Sequence, residues 1–189
     1  KNKMVFRMGK TLETHTISKA DKVLMITGAL RDLVDSRYHG KIEIVPDGAD
    51  TEMFRPGLNA RLIRDEYNLK DEFVIGYQGG IEPHDGLQFL AQAAPSIIKE
   101  APATKFLIAG RGSHLDSIRQ TVKDNGTEKN WIFTGWVEFN RIPYFMAATD
   151  LNVVPIPKHP ATQGVITFRL LESMAGGVNI IASDMPGIR

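Results

Sequence analysis

Phe73-Val74-Ile75-Gly76-Tyr77-Gln78-Gly79-Gly80-Ile81-Glu82-Pro83-His84-Asp85-Gly86, followed by Leu87, Leu90, Ala94 and Ile97 at helical spacing, is the passage on which the fold turns. An apolar run, a glycine-dense loop and then a 3.6-residue apolar period describe a strand, a turn and a helix. The spacing predicts a strand over 73–77 and a helix over 86–99, which Pro95 should kink. The same unit recurs downstream. Apolar runs at 105–109, 131–133, 151–154 and 179–182 read as strands, and helices are expected over 114–124, 141–148 and 165–175. Leu115, Ile118 and Val122 mark the inner face of the second of these four helices. The strands are almost uniformly apolar, as required when helices cover both sheet faces. Strand–helix alternation with right-handed crossovers gives an α/β fold with a doubly wound parallel sheet.

Upstream, helices are predicted over 12–20 and 28–37 and strands over 23–26 and 42–45. Pro46-Asp47-Gly48-Ala49-Asp50 and Phe54-Arg55-Pro56-Gly57 are too rich in breakers to form an element. Three segments follow: residues 1–45, a connector at 46–56, and a main domain at 57–189.

Of the 189 residues, 42% are hydrophobic and 24% charged, which excludes disorder, collagen and coiled coil. With no Cys, disulfides, thiolate-held zinc and thiol catalysis are excluded. No apolar run approaches the roughly 20 residues that span a bilayer, and no signal peptide is visible. The first residue is Lys1 and the last is Arg189, just after a strand and turn, so both ends are expected to be cut. Residues 1–45 carry nine Lys or Arg and five Asp or Glu, whereas the remainder carries 14 basic and 17 acidic residues. A body without a sustained basic face argues against nucleic acid as partner. The basic start, Lys1, Lys3, Arg7 and Lys10, reads as a solvated edge or as a contact with acidic lipid or a missing neighbouring domain.

In an open parallel sheet, ligands sit beyond the carboxyl ends of the strands, which singles out four loops. In the first, Gly79 and Gly80 let a ligand approach the backbone. The spacing there is neither G-x-G-x-x-G nor a P-loop, so a nicotinamide or flavin dinucleotide is disfavoured. Asp85 with Gln88 reads as an N-cap with a capping box, and His84 as an exposed loop residue or a donor to phosphate or sugar. The second loop, Gly110-Arg111-Gly112-Ser113, offers Ser113 as N-cap with Asp116. It leaves Arg111 to contact a base or phosphate. In the third, Trp136 and Val137 either pack or border a nucleobase. In the fourth, Lys158 and His159 precede Gln163, Gly164, Val165 and Ile166, whose N–H groups would open the next helix and receive an anion. Glu172 stands among Leu170, Leu171, Met174 and Ala175. It is either an ordinary exposed helix residue or a carboxylate that accepts two ribose hydroxyls.

Read in order, the text resembles family 4 glycosyltransferases of the GT-B fold. The likeness is carried by Val45-Pro46-Asp47-Gly48-Ala49-Asp50 with Phe54-Arg55-Pro56, by Phe106-Leu107-Ile108-Ala109-Gly110-Arg111-Gly112, and by Phe133-Thr134-Gly135-Trp136-Val137. It continues through Ala148-Thr149-Asp150-Leu151 and Leu171-Glu172-Ser173-Met174-Ala175-Gly176-Gly177, and covers nearly the whole chain. The resemblance implies two Rossmann-like domains, with 1–45 the tail of the acceptor-side one and 57–189 an incomplete nucleotide-sugar-binding one. It implies transfer from a nucleotide-diphosphate sugar to a glycan, lipid or other acceptor, with retention of configuration and no metal or cofactor. The alternatives are a non-catalytic nucleotide-sugar-binding homologue and a nucleotide-sugar epimerase of the same architecture. Glu172 matches the second, ribose-binding carboxylate of the family's E-x(7)-E pattern, and Val137 the base-contacting loop. The first carboxylate would fall at Gly164. Arg169 fits a variant with a basic residue three before the glutamate. The usual Arg and Lys of the first Gly-rich loop would fall at Gly80 and Asp85, so diphosphate neutralisation is expected from Arg169, Arg111, Lys158 or loop N–H groups. Asn179 stands where Pro is usual. The implied setting is cytoplasmic or polysaccharide-assembling at the inner membrane face, reached through the missing domain. No catalytic residue is assigned, and the chain alone is expected to bind a donor without transferring sugar.

Overall fold

The computed structural model describes residues 3–189, so Lys1 of the basic start lies outside the described residues. The chain forms two compact units: Lys1–Asp47 with Gln163–Ile166 and Met185–Arg189, and Gly48–Thr162 with Thr167–Asp184. Two short segments expected in the main domain thus return to the first unit. Thr27 Oγ1 donates to the Gly164 carbonyl at 2.8 Å and the Gly187 amide to the Gln163 carbonyl at 2.9 Å. A Cβ on Gly187 would lie 2.7 Å from the Gly164 carbonyl carbon, so the two strands of backbone meet without side chains between them.

In the first unit, helix α1 spans Lys3–Lys19, two turns more than the 12–20 expected, and Ile17 is its buried residue. Met4, Val5, Phe6, Met8 and Leu12 are exposed. Strands β1, Val23–Met25, and β2, Ile42–Ile44, pair in parallel. Between them the helix predicted over 28–37 is only Gly28–Arg31, here α2, capped by Thr27 Oγ1, which accepts the Leu30 amide at 3.1 Å. Asp35 then caps a 3-10 helix, Ser36–Lys41. Lys41 Nζ reaches back to the carbonyls of Ser18 and Ala20 at 3.0 and 2.8 Å, satisfying the end of α1.

The second unit is a five-stranded parallel sheet in the order β5-β4-β3-β6-β7. Its strands are β3 (Val74–Gln78), β4 (Lys105–Ala109), β5 (Trp131–Gly135), β6 (Leu151–Val154) and β7 (Ile180–Ala182). The helices are α3 (Arg61–Glu66), α4 (Leu87–Glu100), α5 (Leu115–Asp124), α6 (Ile142–Ala147) and α7 (Phe168–Ala175). The doubly wound architecture holds. α3 is the added element, too short to carry an apolar period, and it is held by the burial of Ile63. Ile75, Tyr77, Phe106 and Ile108 face α4 and α5 through Leu87, Leu90 and Ile118. Val74, Leu107 and Ala109 face the other way, onto Ile63, Leu69 and Phe145. This is the burial of both faces that the apolar strands require.

Helix α4 continues through Pro95. Proline supplies no N–H for the carbonyl four residues back, and Asn125 Nδ2 donates to that carbonyl, Ala91, at 3.0 Å instead. Because the chain leaves β3 first toward β4 and later returns to β6 on its other side, the sheet's switch point lies at the carboxyl end of β3.

Candidate functional site

At that end the backbones of three loops are zipped together. The Gly79 amide donates to the Ala109 carbonyl at 2.9 Å, Ile81 to Arg111 at 3.0 Å, and Gly110 to Gly135 at 2.8 Å. The approach is close enough that a Cβ on Gly110 would sit 1.8 Å from the Gly79 carbonyl oxygen. Glycine at position 110 is therefore required by the contact between two loops rather than by turn type alone.

Glu82 ties the first loop to the second by accepting the Ser113 amide at 3.0 Å and the Ser113 hydroxyl. These two bonds to the ionised form hold the Glu82 carboxyl below the usual carboxylate range. Two expected caps are thereby corrected. Asp85 accepts the Glu82 amide at 2.9 Å, closing a capping box around the 3-10 turn Pro83–Asp85. Helix α4 instead starts from Gly86 at φ 82°, and Gln88 donates to the Pro83 carbonyl at 3.0 Å. Ser113 is spent on Glu82, so His114 takes the N-cap position of α5 without a side-chain bond. His84 is exposed, and His159 Nδ1 accepts the Ala161 amide at 3.1 Å within its own turn.

The zipped loops floor a cleft of about 450 Å³. Gly79, Gly80, Arg111, Trp136, Val137 and Glu172, all expected at the site, line it together with Gln78. Trp136 is 61% exposed and Phe139, also on the cleft, 59%. Arg111 is exposed, and its side chain has no partner among the described residues. The cleft therefore offers glycine backbone, the exposed Trp136 ring, a Phe139 ring that packs edge-on against Phe54 with centroids 5.8 Å apart, an unpaired cation and a carboxylate. Burial pushes the half-buried Glu172 carboxyl up, opposed by the nearby Arg169 charge. Phe139 and Ile142 are cleft residues that the sequence pattern does not single out, since apolar side chains beginning a helix look like core.

Arg169 differs from its expected role as an open cation. It is 8% exposed and does not line the cleft. Its guanidinium lies over the Tyr77 ring, 4.0 Å from the centroid. Nη2 donates to the Tyr77 hydroxyl at 3.0 Å and Nε to the Gln78 carbonyl. Nη1 is buried and has no partner. Gln163, Gly164, Val165 and Ile166 do not open the helix as predicted. They belong to the first unit, and α7 begins at Phe168 with Thr167 at its N-cap. Beneath α7, Asn152 Nδ2 donates to Ser173 Oγ at 3.1 Å, and Gln78 and Thr149 donate to Asn152 Oδ1. This buried network fixes the helix that presents Glu172.

A sequence profile of the family described as "Glycosyl transferases group 1" matches residues 72–189. The "GDP-mannose-dependent alpha-(1-6)-phosphatidylinositol monomannoside mannosyltransferase" of Mycobacterium tuberculosis is 30% identical over 149 residues, covering 77% of this chain and 39% of its own. The "Alpha-D-kanosaminyltransferase" of Streptomyces kanamyceticus is 27% identical over 191 residues, covering 96% of this chain and 47% of its own. The chain thus spans less than half the length of these two relatives. Among solved structures, the C-terminal domain of the group 1 family protein LpcC of Francisella tularensis matches with a TM-score of 0.61 and 28% identity, covering 74% of this chain and 72% of that one. HepE of Anabaena, solved in complex with UDP and glucose, matches with a TM-score of 0.77 and 19% identity over 89% of this chain and 46% of its own, a likeness of fold. Among the described residues, no helix is long and apolar enough to cross a membrane.

Proposed function

The chain belongs to the group 1 glycosyltransferase family, and we propose that it is the nucleotide-sugar-binding part of an enzyme that transfers a sugar from a nucleotide-diphosphate donor to a glycan or lipid-linked acceptor. The observation that carries this is the cleft at the carboxyl ends of β3, β4 and β5, where a glycine backbone, the exposed Trp136 ring and one half-buried carboxylate converge. Each has a partner on such a donor. The Glu172 carboxylate accepts the two ribose hydroxyls. Trp136 and Val137 border the base. The Gly79–Gly80 turn lets the diphosphate approach the backbone, with Arg111 and the buried Arg169 supplying positive charge. Catalysis then consists of holding the donor and stabilising the departing diphosphate. We read the reaction as retaining and metal-independent.

We place residues 1–45 in an acceptor-side domain, 46–56 in a connector and 57–189 in the donor domain, apart from 163–166 and 185–189, which belong to the first unit. The proposed setting is cytoplasmic, with peripheral contact at the membrane through the acceptor-side domain. A non-catalytic nucleotide-sugar-binding homologue is the second reading. It is favoured by the absence of basic side chains at Gly80 and Asp85, the latter committed to capping. Sugar transfer by the full-length protein excludes it.

Calorimetric titration of UDP and GDP tests the donor site. Glu172→Ala should weaken whichever nucleotide binds by about tenfold or more, with the circular dichroism spectrum unchanged. Unaltered affinity would sink the assignment.

A further inference from the structure

We propose that Tyr77 and Arg169 act as a positioning pair that holds the Gly79–Gly80 turn in the shape that receives a diphosphate. The proposal rests on the donor-site reading above. It adds a residue, Tyr77, that lies behind the cleft and never touches the ligand.

The pair is unusual for a core. Tyr77 is fully buried in the middle of a parallel sheet, where phenylalanine would fill the same space without a hydroxyl to satisfy. Its hydroxyl has two partners: it accepts from Arg169 Nη2 at 3.0 Å and donates to the Gly80 carbonyl. Burial pushes its ionisation well above the usual tyrosine range, so it remains a donor at every physiological pH. Arg169, for its part, is buried with no carboxylate paired to it among the described ion pairs. Burying an unpaired guanidinium is costly, and an aliphatic side chain would be more stable there. Its Nε holds the Gln78 carbonyl, and its Nη2 lies 2.5 Å from where a Gly79 Cβ would be. The guanidinium thus occupies the space of the missing side chain and backs the turn from behind.

A Gly-Gly turn has the widest conformational range of any dipeptide. Left to itself it would present its N–H groups in many directions. Here the carbonyls of Gln78 and Gly80, on either side of Gly79, are pinned to one cation–tyrosine unit, and the Gly79 amide is pinned to Ala109. The remaining donor, Arg169 Nη1, is buried and unpartnered, a positive edge stored behind the turn.

The test is Tyr77→Phe in the full chain, read in two ways. Without ligand, hydrogen exchange at the Gly79 amide should quicken about tenfold, while the Leu107 amide in β4 keeps its wild-type rate. With ligand, affinity for UDP or GDP should fall about tenfold, while affinity for uridine or guanosine stays within about twofold. Arg169→Lys, which keeps charge but loses the planar fork, should reproduce both effects. Wild-type exchange at Gly79, or equal losses for nucleotide and nucleoside, overturns the pair. Failure of the wild-type chain to bind either nucleotide defeats the donor reading, and the exchange measurement still decides the pair.

Discussion

The Arg64 guanidinium closes on the Asp150 carboxylate at 2.8 Å, and the same oxygen accepts the Val74 amide at 2.7 Å. One carboxylate therefore joins α3 to the starts of β3 and β6, at the end of the sheet opposite the cleft. Arg64 also donates to the carbonyls of Ala148 and Lys70 at 3.0 and 2.9 Å, closing the loop before β3. Asp150→Ala leaves a largely buried cation and a strand amide without their acceptor. Charge-assisted bonds of this kind contribute about 2 kcal/mol. Urea unfolding should show a loss of that size, and nucleotide affinity of the folded protein should be unchanged.

Glu172 gives two pH dependences of opposite sign. Its pKa is raised in the folded chain, mainly by burial. The native state then holds its proton where the unfolded state has released it, so this contribution to stability is full at low pH and is lost as pH rises through the raised pKa. Ribose hydroxyls, however, need the ionised carboxylate as acceptor. Nucleotide affinity should therefore climb as pH rises through the same value, which lies above that of an ordinary glutamate. Thermal melts and titrations at matched pH should show both slopes. Glu172→Gln should flatten each.

Trp136 separates binding from folding. It is 61% exposed and packs into neither core cluster. Trp136→Ala should change unfolding free energy by less than about 0.5 kcal/mol. Loss of a stacking face costs about 1–3 kcal/mol per base, so affinity for nucleosides and nucleotides should fall together. An effect on neither would place the base elsewhere.

Gly86 is a folding position beside the site rather than part of it. It begins α4 at φ 82°, and a Cβ there would lie 1.8 Å from the Pro155 carbonyl oxygen. Backbone strain and displacement act together, so Gly86→Ala should cost about 3 kcal/mol. The melting temperature would fall accordingly. An unchanged melt would show that the 155–157 backbone moves aside freely.

Much of the fold is legible in the sequence because the information is local. The strands at 105–109 and 151–154 fall where their apolar runs do, and the helix at 114–124 begins one residue later than its period predicts. Where a single residue type satisfies several local roles, the sequence misleads. Asp85 and Ser113 both look like caps of the helices that follow them, but Asp85 accepts the Glu82 amide of its own 3-10 turn and Ser113 donates to Glu82 on the first loop. Helix 165–175 starts late because residues 163–166 find partners in the first unit, Gly187 and Thr27 among them.

The sequence by itself settles the alternation of strands and helices and the strand ends that carry glycine, and it singles out candidate site residues at and beyond those ends. Six of them meet at one cleft because parallel strands deliver their loops to the same side. Only the tertiary structure decides what Arg169 does. The contact that buries it is with the carbonyl of Gln78, 91 residues earlier. Local patterns of polarity report which face a side chain takes on its own element. They carry no record of which distant carbonyl or ring will be waiting there, since that is set by the packing of α7 on β6 and β7, from which the Arg169 side chain reaches the end of β3.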